Sequence, residues 1–139
     1  MAVTVRKAAM VLAVPALLGT SAATTASAEP LAWDCDPGYV CYYTGPSGTG
    51  AKCQWQNADN NHAVEPGVCS WAATTNVRSI YNNGQSGSFT GVCSYRGADY
   101  TGVPRVFLKQ RGDWWSTTGD GFKVLSHRWV NTNGTCPTG

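Results

Sequence analysis

Hydrophobic residues along this chain come in short runs, not in helical stripes. "YVCYY", "VRSIY", "VCSY", "PRVFLK" and "SHRWV" are each rich in β-branched or aromatic residues and bounded by Gly, Pro, Asn, Ser or Thr. No stretch holds apolar residues at i, i+3, i+4 and i+7, the pattern of an amphipathic helix. In "VPRVFLK", Val106 and Leu108 fall on one face and Arg105, Phe107 and Lys109 on the other, the period of a strand. Many short strands with turn signals between them predict an all-β sandwich.

One longer apolar run breaks the pattern. It extends from Ala8 to Leu18, follows Arg6 and Lys7, and precedes Ala26-Ser27-Ala28. A charged start, a short apolar stretch and an A-x-A site predict a secretory signal over residues 1–28 and a mature domain over residues 29–139. The run is well short of the roughly 20 residues that span a bilayer. A secreted, extracellular chain free of the membrane is therefore expected.

The mature part repeats itself. "VCYYTGPSGTG" from Val40 and "VCSYRGADYTG" from Val92 share Val, Cys, Tyr, Gly, Thr and Gly at matching positions. A fainter echo follows, "VRSIY" from Val77 against "VLSHR" from Val124. The repeat divides the domain into unit one, about residues 34–83, and unit two, about residues 91–136, joined by the turn-rich "NGQSGSF". Two Greek keys in tandem fit units of this length.

Six cysteines, at 35, 41, 53, 69, 93 and 136, lie in the mature part. An even count in a small exported domain predicts a disulfide framework. Of the fifteen possible connectivities, proximity and the repeat favour Cys35–Cys41, Cys53–Cys69 and Cys93–Cys136. Zinc is disfavoured, because no C-x-x-C pair occurs and His62 and His127 sit at no ligand spacing.

"YRGADYTG" places Tyr95, Tyr100 and Gly102 so that a strand can double back, one ring covering the turn and the glycine supplying a left-handed backbone. In unit one Tyr43 and Gly50 match, but Gly48 stands where the second aromatic belongs. This Y-x-x-x-x-Y-x-G spacing resembles the tyrosine corner of the βγ-crystallin superfamily. With "CDPGYVCYY" and an exported start, the chain resembles the secreted actinobacterial crystallin-type peptidase inhibitors of the Streptomyces metalloproteinase inhibitor kind. The resemblance implies a disulfide-stapled βγ-crystallin-like sandwich and a function as a non-covalent inhibitor of an extracellular protease. It implies no enzymatic chemistry and no cofactor, and a monomer is expected. A crystallin-fold antimicrobial or killer-toxin-like effector, and a structural or calcium-binding crystallin, are the alternatives.

Calcium needs six to eight oxygens, several of them anionic. The places that match the crystallin calcium motif read "TTNVRS" and "GFKVLS", which bring Thr74, Thr75 and Arg78, then Phe122 and Leu125. Only a shifted site using Asn76 and Asp120 would supply better ligands. Catalysis finds little support either, with two histidines, no G-x-S-x-G and no expected free cysteine. Once Arg6 and Lys7 leave with the signal, eight cations face eight anions, which removes the main support for nucleic-acid binding.

Two stretches are candidate partner surfaces. "QNADNNHAVEPG" is an insertion in unit one between Cys53 and Cys69, and its Asn60, Asn61 and His62 are the candidate contacts. "KQRGDWWSTTGDG" offers Arg111 and Trp114, residue types that dominate interface energies. Trp115 parallels Trp71 before its V-x-S strand, so it is expected in the core. The "RGD" at Arg111 to Asp113 is read as chance.

Overall fold

The computed structural model describes residues 33–103 and 105–139. The signal read over residues 1–28 lies outside the described residues. Among the described residues seven strands form: β1 (Val40–Tyr43), β2 (Lys52–Trp55), β3 (Ser79–Asn82), β4 (Gly91–Tyr95), β5 (Arg105–Lys109), β6 (Asp113–Ser116) and β7 (Ser126–Val130). The helical content among the described residues is one 3-10 turn, Pro46–Gly48. The strands pair antiparallel in two sheets, ordered β2-β1-β3-β6 and β5-β4-β7. The arrangement fits a β-sandwich.

The two-residue period decides what lies between the sheets. Val40, Tyr42 and Ile80 of one sheet meet Val92 and Leu108 of the other, with Val77, Phe122 and Val124 completing the buried cluster. Val106, Trp71 and Trp115 pack against the same cluster, while Phe107 joins the outer face of the second sheet. This is the division of faces that the alternation in "VPRVFLK" predicts.

The outer faces are closed by the chain ends, in matching ways. Cys35–Cys41 bonds the N-terminal segment to β1, and Cys93–Cys136 bonds the C-terminal segment to β4. Two residues beyond each strand cysteine a tyrosine hydroxyl clasps the same segment: Tyr43 donates to the Asp34 carbonyl and Tyr95 to the Pro137 carbonyl, both at 2.7 Å. Each corner then turns back through equivalent bonds. Gly45 N–H donates to Thr49 and Gly97 N–H to Thr101, at 2.9 Å in both units. Ser79 Oγ donates to the Gly45 carbonyl (2.7 Å), and Ser126 Oγ to that of Gly97 (2.6 Å). The same hydroxyls accept from Gly48 N–H and Tyr100 N–H. Gly50 and Gly102 hold φ of 83° and 85°, where a side chain would be strained.

The units also exchange segments. β6 belongs to unit two in sequence but pairs with β3 of unit one. The reciprocal crossing in unit one is reduced to one antiparallel bridge, Asp59 to His127, with N–H···O distances of 3.0 and 2.9 Å. An eleven-residue sequence match thus ends in two sheets that each need a piece of the other unit.

The missing aromatic of unit one is supplied from elsewhere. Tyr100 packs edge-on against Tyr95 at 5.8 Å, and Trp33 packs against Tyr43 at 5.6 Å. Tyr100 holds φ of 61°, a left-handed conformation that costs about 1–2 kcal/mol for a residue with a Cβ. Gly48 adopts φ of 77° without that cost, and a Cβ there would lie 2.6 Å from the Trp33 ring. Unit one therefore avoids the strain at the corner and imports its ring from the N-terminal segment.

Replacing this ring tests the equivalence. Trp33→Ala is expected to destabilise by about 2 kcal/mol, part of the cost of emptying a fully buried aromatic site. Adding Gly48→Tyr to that variant should recover part of the loss, while Gly48→Tyr alone should destabilise because both rings then compete for one place. Urea-denaturation midpoints of the three variants decide the matter.

Candidate partner surface

The insertion between β2 and β3 is built in two parts. Its first part runs into the core. Asp59 bridges to β7, and His62 N–H donates to the Leu125 carbonyl at 2.8 Å. Cys69 N–H returns to the His62 carbonyl at 2.7 Å, closing the segment where Cys53–Cys69 bonds it to β2. Asn60 exchanges bonds with the second corner, giving its amide to Asp99 Oδ1 (3.0 Å) and accepting from Asp99 N–H (2.8 Å). Asn61 Oδ1 accepts from Ala63 N–H, and Asp59 Oδ1 accepts from Asn61 N–H.

These contacts correct one sequence expectation directly. His62 is 1% exposed and cannot touch a partner. Burial follows from its company: it stacks on Trp55 at 4.0 Å, and its Nε2 lies 2.7 Å from His127 Nδ1. Asn60 is exposed, but its amide and carbonyl serve the neighbouring corner.

The second part, residues 63–68, is what the anchors present. Val64 is 48% exposed and Val68 51%, with Glu65 and Pro66 exposed between them. Trp55 Nε1 donates to the Gly67 carbonyl at 3.1 Å, and Val64 N–H to Asn61, so the tip is held at both sides. A Cβ on Gly67 would meet Trp55 Nε1 and Asp59 Oδ2 inside 3 Å, which requires glycine there. The sequence carried the signal for this tip in "AVEPGV", two valines about a turn inside a cysteine pair.

Arg111 and Trp114 lie elsewhere. Trp114 is 55% exposed on β6, with its ring 6.0 Å from Trp33. Arg111 is exposed in the turn before it, at φ of 66°. β2, to which Cys53–Cys69 ties the loop, and β6, which carries Trp114, are opposite edges of one sheet, about 14 Å apart at three strand spacings. The two surfaces do not form one site.

At the places weighed for calcium, Arg78 donates to the Thr118 carbonyl (2.6 Å) and Asn76 turns its amide nitrogen to the Asp120 carbonyl (3.1 Å). Donors thus occupy positions where a cation would need oxygens.

The buried histidines form a short chain with acceptors at both ends. His127 Nε2 meets the Asn57 carbonyl at 2.9 Å, so it carries a proton. His127 Nδ1 then accepts from His62 Nε2–H across 2.7 Å. His62 Nδ1 is left with a lone pair toward the Val124 carbonyl at 3.2 Å, the longest of the three contacts. Two neutral rings bring two protons to three contacts. A third proton would complete the chain, but it would place a charge among the buried rings of Tyr42 and Trp55. Burial wins. It pulls His127 down to about 4, and burial with the neighbouring His127 pulls His62 lower still, against the opposing pull of the Val124 carbonyl. Burial likewise pushes the Tyr42 and Tyr43 hydroxyls up.

Both rings titrate near 6.5 when unfolded, so their folded-state values are depressed. The stability they confer is full above pH 6.5 and falls as pH drops toward the folded value of about 4 for His127. Unfolding near pH 5 should take up roughly two protons at these sites, a slope of about 2.7 kcal/mol per pH unit. His127→Ile, which copies Ile80 at the matching position of unit one, should roughly halve that slope. Chemical denaturation between pH 4.5 and 7 reads the slope independently of any change in absolute stability.

Comparison with curated proteins finds no match. Residues 28–107 match the family described as peptidase inhibitor family I36, a span that contains the Cys53–Cys69 loop and ends before Arg111 and Trp114. The match covers more than half of the chain, which therefore belongs to peptidase inhibitor family I36, a family of non-enzymatic inhibitors of proteases.

Proposed function

We propose that this inhibitor acts by non-covalent occlusion, with residues 63–68 as the segment that enters the cleft of an extracellular protease. The observation that carries the reading is the pair Val64 and Val68, half-exposed apolar side chains on a short loop fixed at both ends. A stiff segment loses little freedom on binding, which saves about 1 kcal/mol for each side chain already ordered. Nothing in Ala63–Val68 is nucleophilic, and all six cysteines are paired, so a covalent adduct has no obvious donor.

The wider setting belongs to the same proposal. A signal over residues 1–28, cleaved after Ala28, would deliver residues 29–139 to the outside, where three disulfides persist. The mature chain is then a monomeric βγ-crystallin-like domain of two Greek keys. The matched serine and tyrosine bonds of the two corners support that reading, as does the exchange of β6.

The oxidised protein should inhibit a thermolysin-type metalloprotease or a subtilisin-type serine protease in a titration. Val64→Asp with Val68→Asp is expected to weaken inhibition about 100-fold, by placing charges in an apolar contact. Trp114→Ala should change it by less than about threefold. No inhibition of either enzyme at micromolar protein, or inhibition indifferent to the valines, overturns the proposal.

A further inference from the structure

Away from the inhibitory tip, a cleft of about 550 Å³ opens where the two units meet. Its size lies in the ~300–1,000 Å³ range of ligand sites. Five separate segments wall it: the turn before β1, the start of the insertion, the linker between the units, the β5–β6 turn and β7. An inhibitor that presents a convex loop has no use for such a hollow.

The wall is preformed. Trp129 Nε1 donates to the Gln56 carbonyl at 2.8 Å, and Phe89 stacks on Trp129 at 6.5 Å and 28°. Gln110 Nε2 donates to the Phe89 carbonyl, and Gly84 N–H to Asn82 Oδ1, so the linker is held from both sides. Gly84 leaves room for the indole, since a Cβ there would lie 2.6 Å from it.

The chemistry of the lining selects a ligand class. Among the described residues no charged side chain lines the cleft, which removes phosphates, carboxylates and amines as preferred ligands. Several backbone groups in the wall are already engaged: the carbonyls of Gln56, Asn57 and Phe89 accept from Trp129, His127 and Gln110, that of Gly84 accepts from Arg111 N–H, and Gly38 N–H donates to Asn83. Of the lining residues only Trp129 belongs to a strand, so a peptide adding as a strand would find no continuous ladder. What remains is the side-chain carboxamides of Gln56, Asn57 and Gln85, none of which bonds elsewhere among the described residues. Each offers both donors and an acceptor, the pairing a hydroxyl needs. Beside them the Phe89 and Trp129 rings give an apolar surface suited to the C–H face of a pyranose.

The geometry points to a binding site for a neutral saccharide in this cleft, independent of protease inhibition. The site would take a sugar residue of an uncharged glycan, Gln56, Asn57 and Gln85 meeting its hydroxyls and Phe89 its ring.

Neutral oligosaccharides are the probes: β-1,4-linked glucose, mannose and N-acetylglucosamine and α-1,4-linked glucose, three to six units long by design. Binding to the oxidised protein is followed through the Trp129 indole N–H resonance and by calorimetry. At least one probe should shift that resonance, and Phe89→Ala and Gln85→Ala should each weaken it by about tenfold. Both residues lie on the exposed linker, and unchanged thermal midpoints would show that the variants fold. The proposal falls if no probe binds at about 10 mM, or if binding is equally strong in both variants.

Discussion

The contact between His62 and His127 is the constraint on which the arrangement of this molecule turns. It joins an insertion of unit one to the last strand of unit two, across the core and at 2.7 Å. A buried polar pair is costly unless its hydrogen bonds are made. Here two of three are made, and stacking on Trp55 and packing against Tyr42 exclude water from the third. The matching position in unit one is Ile80, so an apolar core would have been available. What the histidine adds is direction. An isoleucine cannot hold the Asn57 carbonyl or receive a proton from His62, and without those bonds no side chain of the insertion is fixed in the core beside β7.

Around that contact the two units are copies with local exceptions. The serine of each V-x-S strand binds its corner in the same two bonds, and each corner tyrosine clasps a disulfide-bonded chain end. Exceptions occur where one unit solves a local problem differently. Unit two accepts a tyrosine at φ of 61°, and unit one takes glycine and borrows Trp33. Unit two crosses to its neighbour with the four-residue β6, and unit one crosses with a single bridge at Asp59. The shortened crossing frees residues 60–68 from the sheet, and the sequence uses them as the loop. Arg128 meanwhile lies over the Tyr95 and Tyr100 rings, a cation–π contact that unit one replaces with Tyr81 stacked on Trp33.

Local pattern made much of this visible before any coordinates. Alternation in "VPRVFLK" assigns its faces, the repeated "VC-x-Y" fixes the corners, and the cysteine spacing favours the three bridges that form. Hidden from it were contacts between residues remote in sequence. Trp33 precedes the repeat and fills a place defined by Gly48, and His62 meets His127 across 65 positions. His62 is a polar residue in a turn-rich insertion, so composition argued for exposure there, and tertiary packing overrode it. The valines of "AVEPGV" were ordinary apolar residues in one dimension and became the presented pair only once the anchors took their neighbours inward.

Stiffness in this loop comes from those anchors more than from the disulfide. Cys53–Cys69 alone closes a segment with a sequence separation of 16 and leaves every residue inside it free to move. Pinning Asp59 and His62 shortens the free part to residues 63–68. Loop-closure entropy grows with the logarithm of length, so shortening by this factor removes about 0.8 kcal/mol. The larger gain is in ordering the residues themselves, about 1–2 kcal/mol of backbone freedom for each one fixed. Folding therefore bears a cost that binding would otherwise meet. The same strand that bears it, β7, also carries Trp129, whose indole holds Gln56 at the rim of the cleft. A disturbance at His127 would consequently reach both the tip and the cleft, whereas a change in either surface need not reach the other.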